Sequence, residues 1–494
     1  MRKKIVLLVI LICLVALFLR LWRSDELFYF MMDEAYLAFR GWNLFGLKRF
    51  FIIGAASPLG FHLPPYFFWF SALFLPISNF DPLAWGVIAA LAGVVTVFWL
   101  FLLSRKLANS KIGLIASLLY ATSWTAILYD RHFWMLVFNP LFTIITLWLL
   151  VAKPKFKWFF LSLVLVFGIT ADPSNLTLLI LVLYDWFSKV ESLAKKSIFL
   201  ISFAVLFLGP LIIFDIRHKG SNFAGISRFF ASTRQSQISG NNIINALLFP
   251  SRELSLFWYN PQLNVSFFHT YCPTYAFSRQ VNQPILLQLV AFGLIIIYCF
   301  KKLKNPGKEK YLVRLLIIYF LGLFIYGGLI GRPLFDHYLA GLLPIFAYIS
   351  AKCLFRFWAI GFIFLILFIF LNPFQISRAV NPYGLKSSRE AVVWLGKELN
   401  GQEFAFDTVS KCFRYNGIRY LLEINNLKPA ISFIDPNFFW LYRDKPAQYF
   451  PDRMVVFTDK ALKSSLPVLK ENEFGAWKVF IIDNSKKTYQ IEGL

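Results

Sequence analysis

The sequence predicts an all-α polytopic membrane bundle of about eleven transmembrane helices, with interfacial helices in the first outer loop and a small C-terminal soluble α/β domain. Three observations predict it. The 494 residues are 58% hydrophobic and only 15% charged, with a mean hydropathy of +0.62, where soluble domains carry roughly 25% charge. Apolar runs recur regularly up to about residue 370 and then stop. Between the runs lie short basic clusters, the pattern that the positive-inside rule produces.

The charges exclude one class of function. Fifty Lys and Arg against 26 acidic residues give a formal charge of +24, which in a soluble chain would suggest a nucleic-acid partner. Here the basic residues cluster between apolar runs, against an anionic leaflet, so no nucleic acid is implied. The 58 Phe read as a lipid-facing bias. Cys13, Cys272, Cys299, Cys353 and Cys412 show no metal-ligand spacing and imply no disulfide framework, although Cys272 and Cys412 share a side in the topology below.

Arg2-Lys3-Lys4 and the apolar stretch Ile5 to Trp22 resemble the start of a secretory signal but lack a small-residue cleavage site. The stretch is therefore read as a retained first span. Further spans are expected near 83–103, 112–129, 135–152, 157–171, 174–189, 197–215, 284–301, 311–330, 337–351 and 355–371. This arrangement puts the clusters Arg105/Lys106/Lys111, Lys153/Lys155/Lys157, Lys189/Lys195/Lys196, Lys301 to Lys310 and Lys352/Arg356 all on the N-terminal, cytoplasmic side. Counting 61–77 as a span would reverse every later loop. That segment also holds Pro64, Pro65 and Pro76, which break helical hydrogen bonding. It is read as a re-entrant or interfacial helix.

A membrane domain over 1–372 is thus expected in the plasma (inner) membrane, with a first outer loop at 23–82 and a long outer loop at 216–283. An extracytoplasmic domain follows over 373–494. In it, Ser387 to Leu399 reads as helix, the segments around 403–408, 453–458 and 477–483 as strands, and Asn416-Gly417 and Asp435-Pro436 as turns.

Nearly all the unusual residues fall on the outer side. Asp33-Glu34 follows the first span and opens an amphipathic stretch. Adjacent carboxylates at a membrane surface are costly unless solvated or used, though acidic residues also favour a helix N-terminus. Next come His62-Leu63-Pro64-Pro65-Tyr66, the turn Tyr129-Asp130-Arg131-His132, the corner Asp215-Ile216-Arg217-His218-Lys219, and Gly331-Arg332-Pro333-Leu334-Phe335-Asp336-His337-Tyr338. Each taken alone is ordinary interfacial polarity. On one face together they suggest an anion site beside a carboxylate.

These residues resemble the glycosyltransferase C superfamily, and within it family 39, the protein O-mannosyltransferase and aminoarabinose transferase group. The resemblance rests on the Asp-Glu pair with Tyr36, on His62 to Tyr66, on Ala90 to Val97, on Tyr129 and Arg131, and on His337-Tyr338 with Pro344. It covers roughly residues 1 to 370. It implies transfer of a sugar, hexosyl or pentosyl, from a polyprenyl phosphate to an acceptor glycan, lipid or protein on the extracytoplasmic side, with inversion.

The residue types suit that chemistry. One carboxylate in reach can deprotonate an attacking hydroxyl, and a phosphate leaving group needs no partner acid, unlike hydrolases with two spaced carboxylates. By motif position Asp33 is the candidate base and Glu34 a second acceptor or orienting group. Charge developing on the donor phosphate calls for fixed cations, expected at Arg131, Arg217 and Arg332 with His337. His62, Tyr66 and Tyr338 are expected at the substrate. No cofactor is required by these motifs; a divalent metal among Asp33, Glu34 and His62 is compatible with them. One departure stands out: Gly86 occupies the place where the family often carries an Arg. Two rival readings are a polysaccharide ligase or polymerase and a transporter or flippase, the latter opposed by polar signals confined to one-sided loops.

Overall fold

The computed structural model describes residues 2–28, 30, 32–46, 48–54, 61–188, 193–233, 240–263, 284–305, 307–332, 334–409, 416–433, 451–462, 464 and 466–485. The first part of the chain forms helices α1 (Arg2–Leu21), α2 (Ser24–Leu27), α3 (Met32–Phe45), α4 (Tyr66–Ala72), α5 (Leu83–Leu107), α6 (Ser110–Thr122), α7 (Trp124–Tyr129), α8 (Asn139–Ala152), α9 (Lys157–Ala171) and α10 (Leu176–Ser188). There follow α11 (Leu193–Phe203), α12 (Gly209–Arg217), α13 (Ser221–Thr233), α14 (Gly240–Trp258), α15 (Ile285–Lys304), α16 (Lys310–Leu323), α17 (Leu343–Arg356) and α18 (Trp358–Arg378).

Among the described residues, eight helical stretches are long and apolar enough to cross a membrane, including Lys3–Leu21, Leu83–Leu107 and Trp358–Arg378. Twenty helical residues rise about 30 Å, the thickness of the hydrocarbon core. The expected spans near 112–129, 157–171 and 174–189 are shorter helices. Local chemistry shortens them. Ser123 leaves the helical conformation and its hydroxyl caps Ala126 N, dividing α6 from α7. Asp172-Pro173 stops α9, since a proline disfavours helix in the residue before it.

Two further expectations are corrected. The segment 216–283, expected as a long outer loop, is not simply a loop: its described part holds α13 and α14, and α14 is buried from Phe249 to Trp258 except at Arg252. Asn241, Asn242, Arg252 and Glu253 lower its hydropathy and hid it from an apolar-run search. Helix α18 continues through Pro373 to Arg378, past the helix end expected near residue 371. Asn372 just before that proline makes hydrogen bonds to Trp124 N (2.8 Å) and Phe368 O (3.1 Å), fixing the buried crossing of α18 with α7.

The bundle has two polar ends. At one, Lys157 meets Asp185 (3.4 Å), Tyr311 donates to Asp185 (2.6 Å) and Lys352 pairs with Glu309 (2.5 Å). At the other lie the first outer loop, the 129–134 turn, the α12–α13 corner and the 331–338 turn, joined by the contacts described below.

Beyond α18 come α19 (Leu385–Leu399), β1 (Ala405–Val409), α20 (Asn416–Ile424), β2 (Ile431–Ser432), β3 (Arg453–Thr458), β4 (Val468–Phe474) and β5 (Trp477–Asp483). The sheet order is β2-β1-β3-β5-β4, parallel at β1–β2 and β1–β3 and antiparallel at β3–β5 and β4–β5. Asn416-Gly417, expected as a turn, instead opens α20; Asp435-Pro436 and the Cys272 and Cys412 positions lie outside the described residues. One continuous apolar core runs from the bundle through Phe30 and Phe39 to Tyr420, Phe457 and Trp477.

Candidate active site

Helix α3 carries the carboxylates. Its buried face is Ala35, Leu37, Ala38 and Phe39, and Asp33 and Glu34 stand in its first turn, where the helix dipole favours negative charge. The two carboxyls have opposite environments. Glu34 is 2% exposed and accepts from His132 Nδ1 at 2.8 Å. Asp33 is reachable by solvent yet closely ringed by protein. That crowding, reinforced by the Glu34 carboxyl beside it, pushes the Asp33 pKa up to about 7.

A chain of contacts then joins three outer segments. His132 packs against Trp134 with ring centroids 5.6 Å apart, and Trp134 meets His337 edge-on at 5.2 Å. His337 stacks on Phe335 at 5.3 Å and touches Tyr338 edge-on. Tyr338 in turn hydrogen-bonds Tyr326. His337 is thus linked to Glu34 through the buried side chains of Trp134 and His132. Arg332 is half-buried at the head of this turn, its backbone N–H bonded to Tyr326 O at 3.0 Å.

Other expected site residues have different tasks. Arg131 is 2% exposed, and its Nη2 donates to Leu19 O (2.8 Å) and Trp22 O (2.7 Å), the negative end of α1. It caps a helix instead of lining the outer surface. His62 forms a clasp: its backbone N–H donates to Asn222 Oδ1 at 2.5 Å, while Asn222 Nδ2 returns a bond to His62 O. Its Nδ1 bonds Gly54 O at 3.2 Å. Burial holds the His62 pKa below the ordinary imidazole value. Asp215 completes the corner by accepting from Asn222 N and Phe223 N.

Tyr66 makes a contact within the bundle. Pro210 has no N–H to give to Leu206 O, four residues earlier. The chain answers with a π segment at Ala204–Leu208, and the Tyr66 hydroxyl donates to Leu206 O at 2.6 Å. Arg217 is exposed at the end of α12. Gly86 is explained by packing: a Cβ there would lie 3.0 Å from the Phe28 ring. Any side chain in that place requires the Phe28 ring to shift.

Two residues were missed as site members. His132, next to the Arg131 chosen from sequence, is the residue of that turn that reaches the carboxylate pair. Arg40 stands seven residues after Asp33 on α3, a spacing that returns to the same helix face. Its guanidinium lies within 4.5 Å of the Phe51 ring centroid, 5.2 Å of Phe68 and 5.6 Å of Tyr36. Among the described residues no group of three or more His, Cys, Asp or Glu converges as a metal site.

The fold, a helical bundle with helices long and apolar enough to cross a membrane and a small C-terminal sheet, is shared with solved proteins of known class. Residues 62–214 match the family of dolichyl-phosphate-mannose-protein mannosyltransferases, a stretch that begins at His62 and so leaves out Asp33 and Glu34. The transferase ArnT from Cupriavidus metallidurans, solved with undecaprenyl phosphate bound, aligns over 96% of this chain and 97% of its own, with a TM-score of 0.59 at 10% identity. The oligosaccharyltransferase of Archaeoglobus fulgidus in its apo form aligns over 87% of this chain and 65% of its own, with a TM-score of 0.51 at 12% identity. No curated protein sequence matches the chain.

Proposed function

We propose that the protein is an integral-membrane glycosyltransferase that moves a hexose or pentose from a polyprenyl-phosphate donor to an acceptor hydroxyl on the extracytoplasmic face, with inversion. The observation that carries this reading is Asp33, an accessible carboxyl crowded by protein, beside a buried Glu34 already satisfied by His132. A carboxylate whose pKa lies near 7 is a far better base than a solvated one and is still ionised in useful fraction at neutral pH.

In the reaction Asp33 takes the proton of the acceptor hydroxyl as its oxygen attacks the anomeric carbon. The bond to the carrier phosphate breaks, and the phosphate leaves with the electron pair. Attack opposite the leaving group inverts the centre. Glu34 and His132 set the direction of the first turn of α3. Arg332, His337 and the exposed Arg217 are the groups assigned to the leaving phosphate, and Tyr338, packed on His337, to the sugar. The shared fold with a transferase holding undecaprenyl phosphate supports a polyprenyl carrier, and the one-sided basic loops support an outward-facing site with the N-terminus inside.

The test is Asp33→Asn in purified protein, assayed with a panel of polyprenyl-phosphate sugars with and without chelator. Turnover should fall by about 10²- to 10⁴-fold while the variant remains folded and membrane-inserted. Near-normal turnover by Asp33→Asn would refute the assignment.

A further inference from the structure

The C-terminal domain does not merely sit above the bundle; its contacts with the bundle concentrate on the two flanks of Asp33. Upstream, Asn381 Nδ2 donates to Leu27 O at 3.3 Å and Leu385 N to Phe28 O at 3.3 Å. Gly417 lies so close to the carbonyl oxygen of Phe30, three residues before Asp33, that a Cβ would stand 2.3 Å from it. Downstream, Phe39 is met edge-on by the Tyr420 ring at 5.2 Å, and the same ring meets Phe30 at 5.6 Å. Tyr420 is fully buried, and its hydroxyl donates to Phe80 O at 2.9 Å, just before α5. Arg389 pairs with Asp81 beside it.

One turn of α20 therefore grips the chain before Asp33, the helix after it and the loop leading to α5. We infer that the C-terminal domain is a positioning element for the carboxylate of Asp33, acting through Gly417 and Tyr420 on Phe30 and Phe39. The inference rests on the glycosyltransferase reading above. From the bundle side α3 is held by α4 and by the Glu34–His132 bond, which orients Glu34. On the other side of the helix the Tyr420 ring meets both Phe30 and Phe39 and wedges between them. A small displacement at Phe39 carries Asp33 with it, because both stand on α3 and the helix moves as one body. Misplacing a catalytic group by about 1 Å can cost about 100-fold in rate.

The test compares Tyr420→Ala, Tyr420→Phe and Gly417→Ala in the full-length protein, with folded fraction measured by gel filtration in detergent. Tyr420→Ala empties the wedge, and Gly417→Ala drives a methyl against Phe30 O. Per folded molecule, both should lower kcat by about 10- to 100-fold with the donor KM changed less than about 2-fold, because donor contacts lie on other loops. Tyr420→Phe keeps both ring contacts and should restore kcat to within about 5-fold of the parent. Unchanged kcat in either disruptive variant, or a loss that tracks the folded fraction in both, overturns the inference and leaves the domain a stabilising role. If Asp33→Asn itself retains turnover, the functional reading fails instead, and the two failures are told apart by that variant.

Discussion

Asp33 should impose a definite pH dependence on the reaction. A base acts only when ionised, so kcat/KM should rise with pH through the pKa of Asp33 in the free protein. With that pKa at about 7, roughly one-tenth of the molecules carry the carboxylate at pH 6 and roughly nine-tenths at pH 8. The rate should climb about tenfold between them, with unit slope below pH 6. The first cause of the raised pKa is crowding by protein and the second is Glu34. Glu34→Gln removes only the second, so its inflection should move downward and stay above the ordinary value of 3.8. The assay is kcat/KM against pH in reconstituted vesicles, for the parent and Glu34→Gln, with acceptor held well below its KM. A flat profile from pH 5 to 8, or an inflection near 4, would refute the role of Asp33. An inflection that vanishes in Glu34→Gln would likewise refute it. The linkage to stability has the opposite sense: a carboxyl whose pKa is higher folded than unfolded weakens the fold as pH rises from about 4 through 7. Asp33→Asn should therefore unfold at the same temperature as the parent or above it at pH 8.

Three further outcomes follow from named contacts. Gly93→Ala places a Cβ 2.2 Å from Asp130 Oδ2 and 2.4 Å from Arg20 Nε, forcing apart a buried pair at 2.7 Å; breaking such a pair costs about 3–5 kcal/mol, readable as a large fall in melting temperature in detergent. Tyr66→Phe leaves Leu206 O without its donor and should cost about 1–3 kcal/mol, while donor KM stays within about 2-fold if Tyr66 is structural; a large KM increase would return it to the substrate. In a background lacking native cysteines, Lys48→Cys should react with an impermeant thiol reagent from outside and Asn109→Cys should not; the reverse labelling would invert the topology.

The structure shows why some site residues were legible from sequence and others not. Asp33-Glu34 announced itself because two adjacent carboxylates beside a span have few uses. Arg131 and His132 are neighbours in the same turn, and nothing in their order says which one faces the carboxylates. That is set by α1, whose terminal carbonyls Leu19 O and Trp22 O take the Arg131 guanidinium and leave His132 for Glu34. Tyr66 reads as a substrate residue until Pro210, 144 positions later in sequence, is found to have freed the carbonyl that it satisfies.

Sequence alone determined the bundle, its two polar ends, the carboxylate motif and the α/β character of the tail, because apolar periodicity, lysine placement and turn residues are local properties. Helices that mix polar and apolar residues, such as α14, escaped for the same reason. Tertiary structure decided everything that depends on which side chain meets which across long separations. It gave Gly86 to the Phe28 ring, turned His62 into a clasp with Asn222, and placed Tyr420 against the helix of Asp33. Those pairings answer to packing and to the cost of leaving a buried polar group unpaired, and neither is written in any one stretch of the chain.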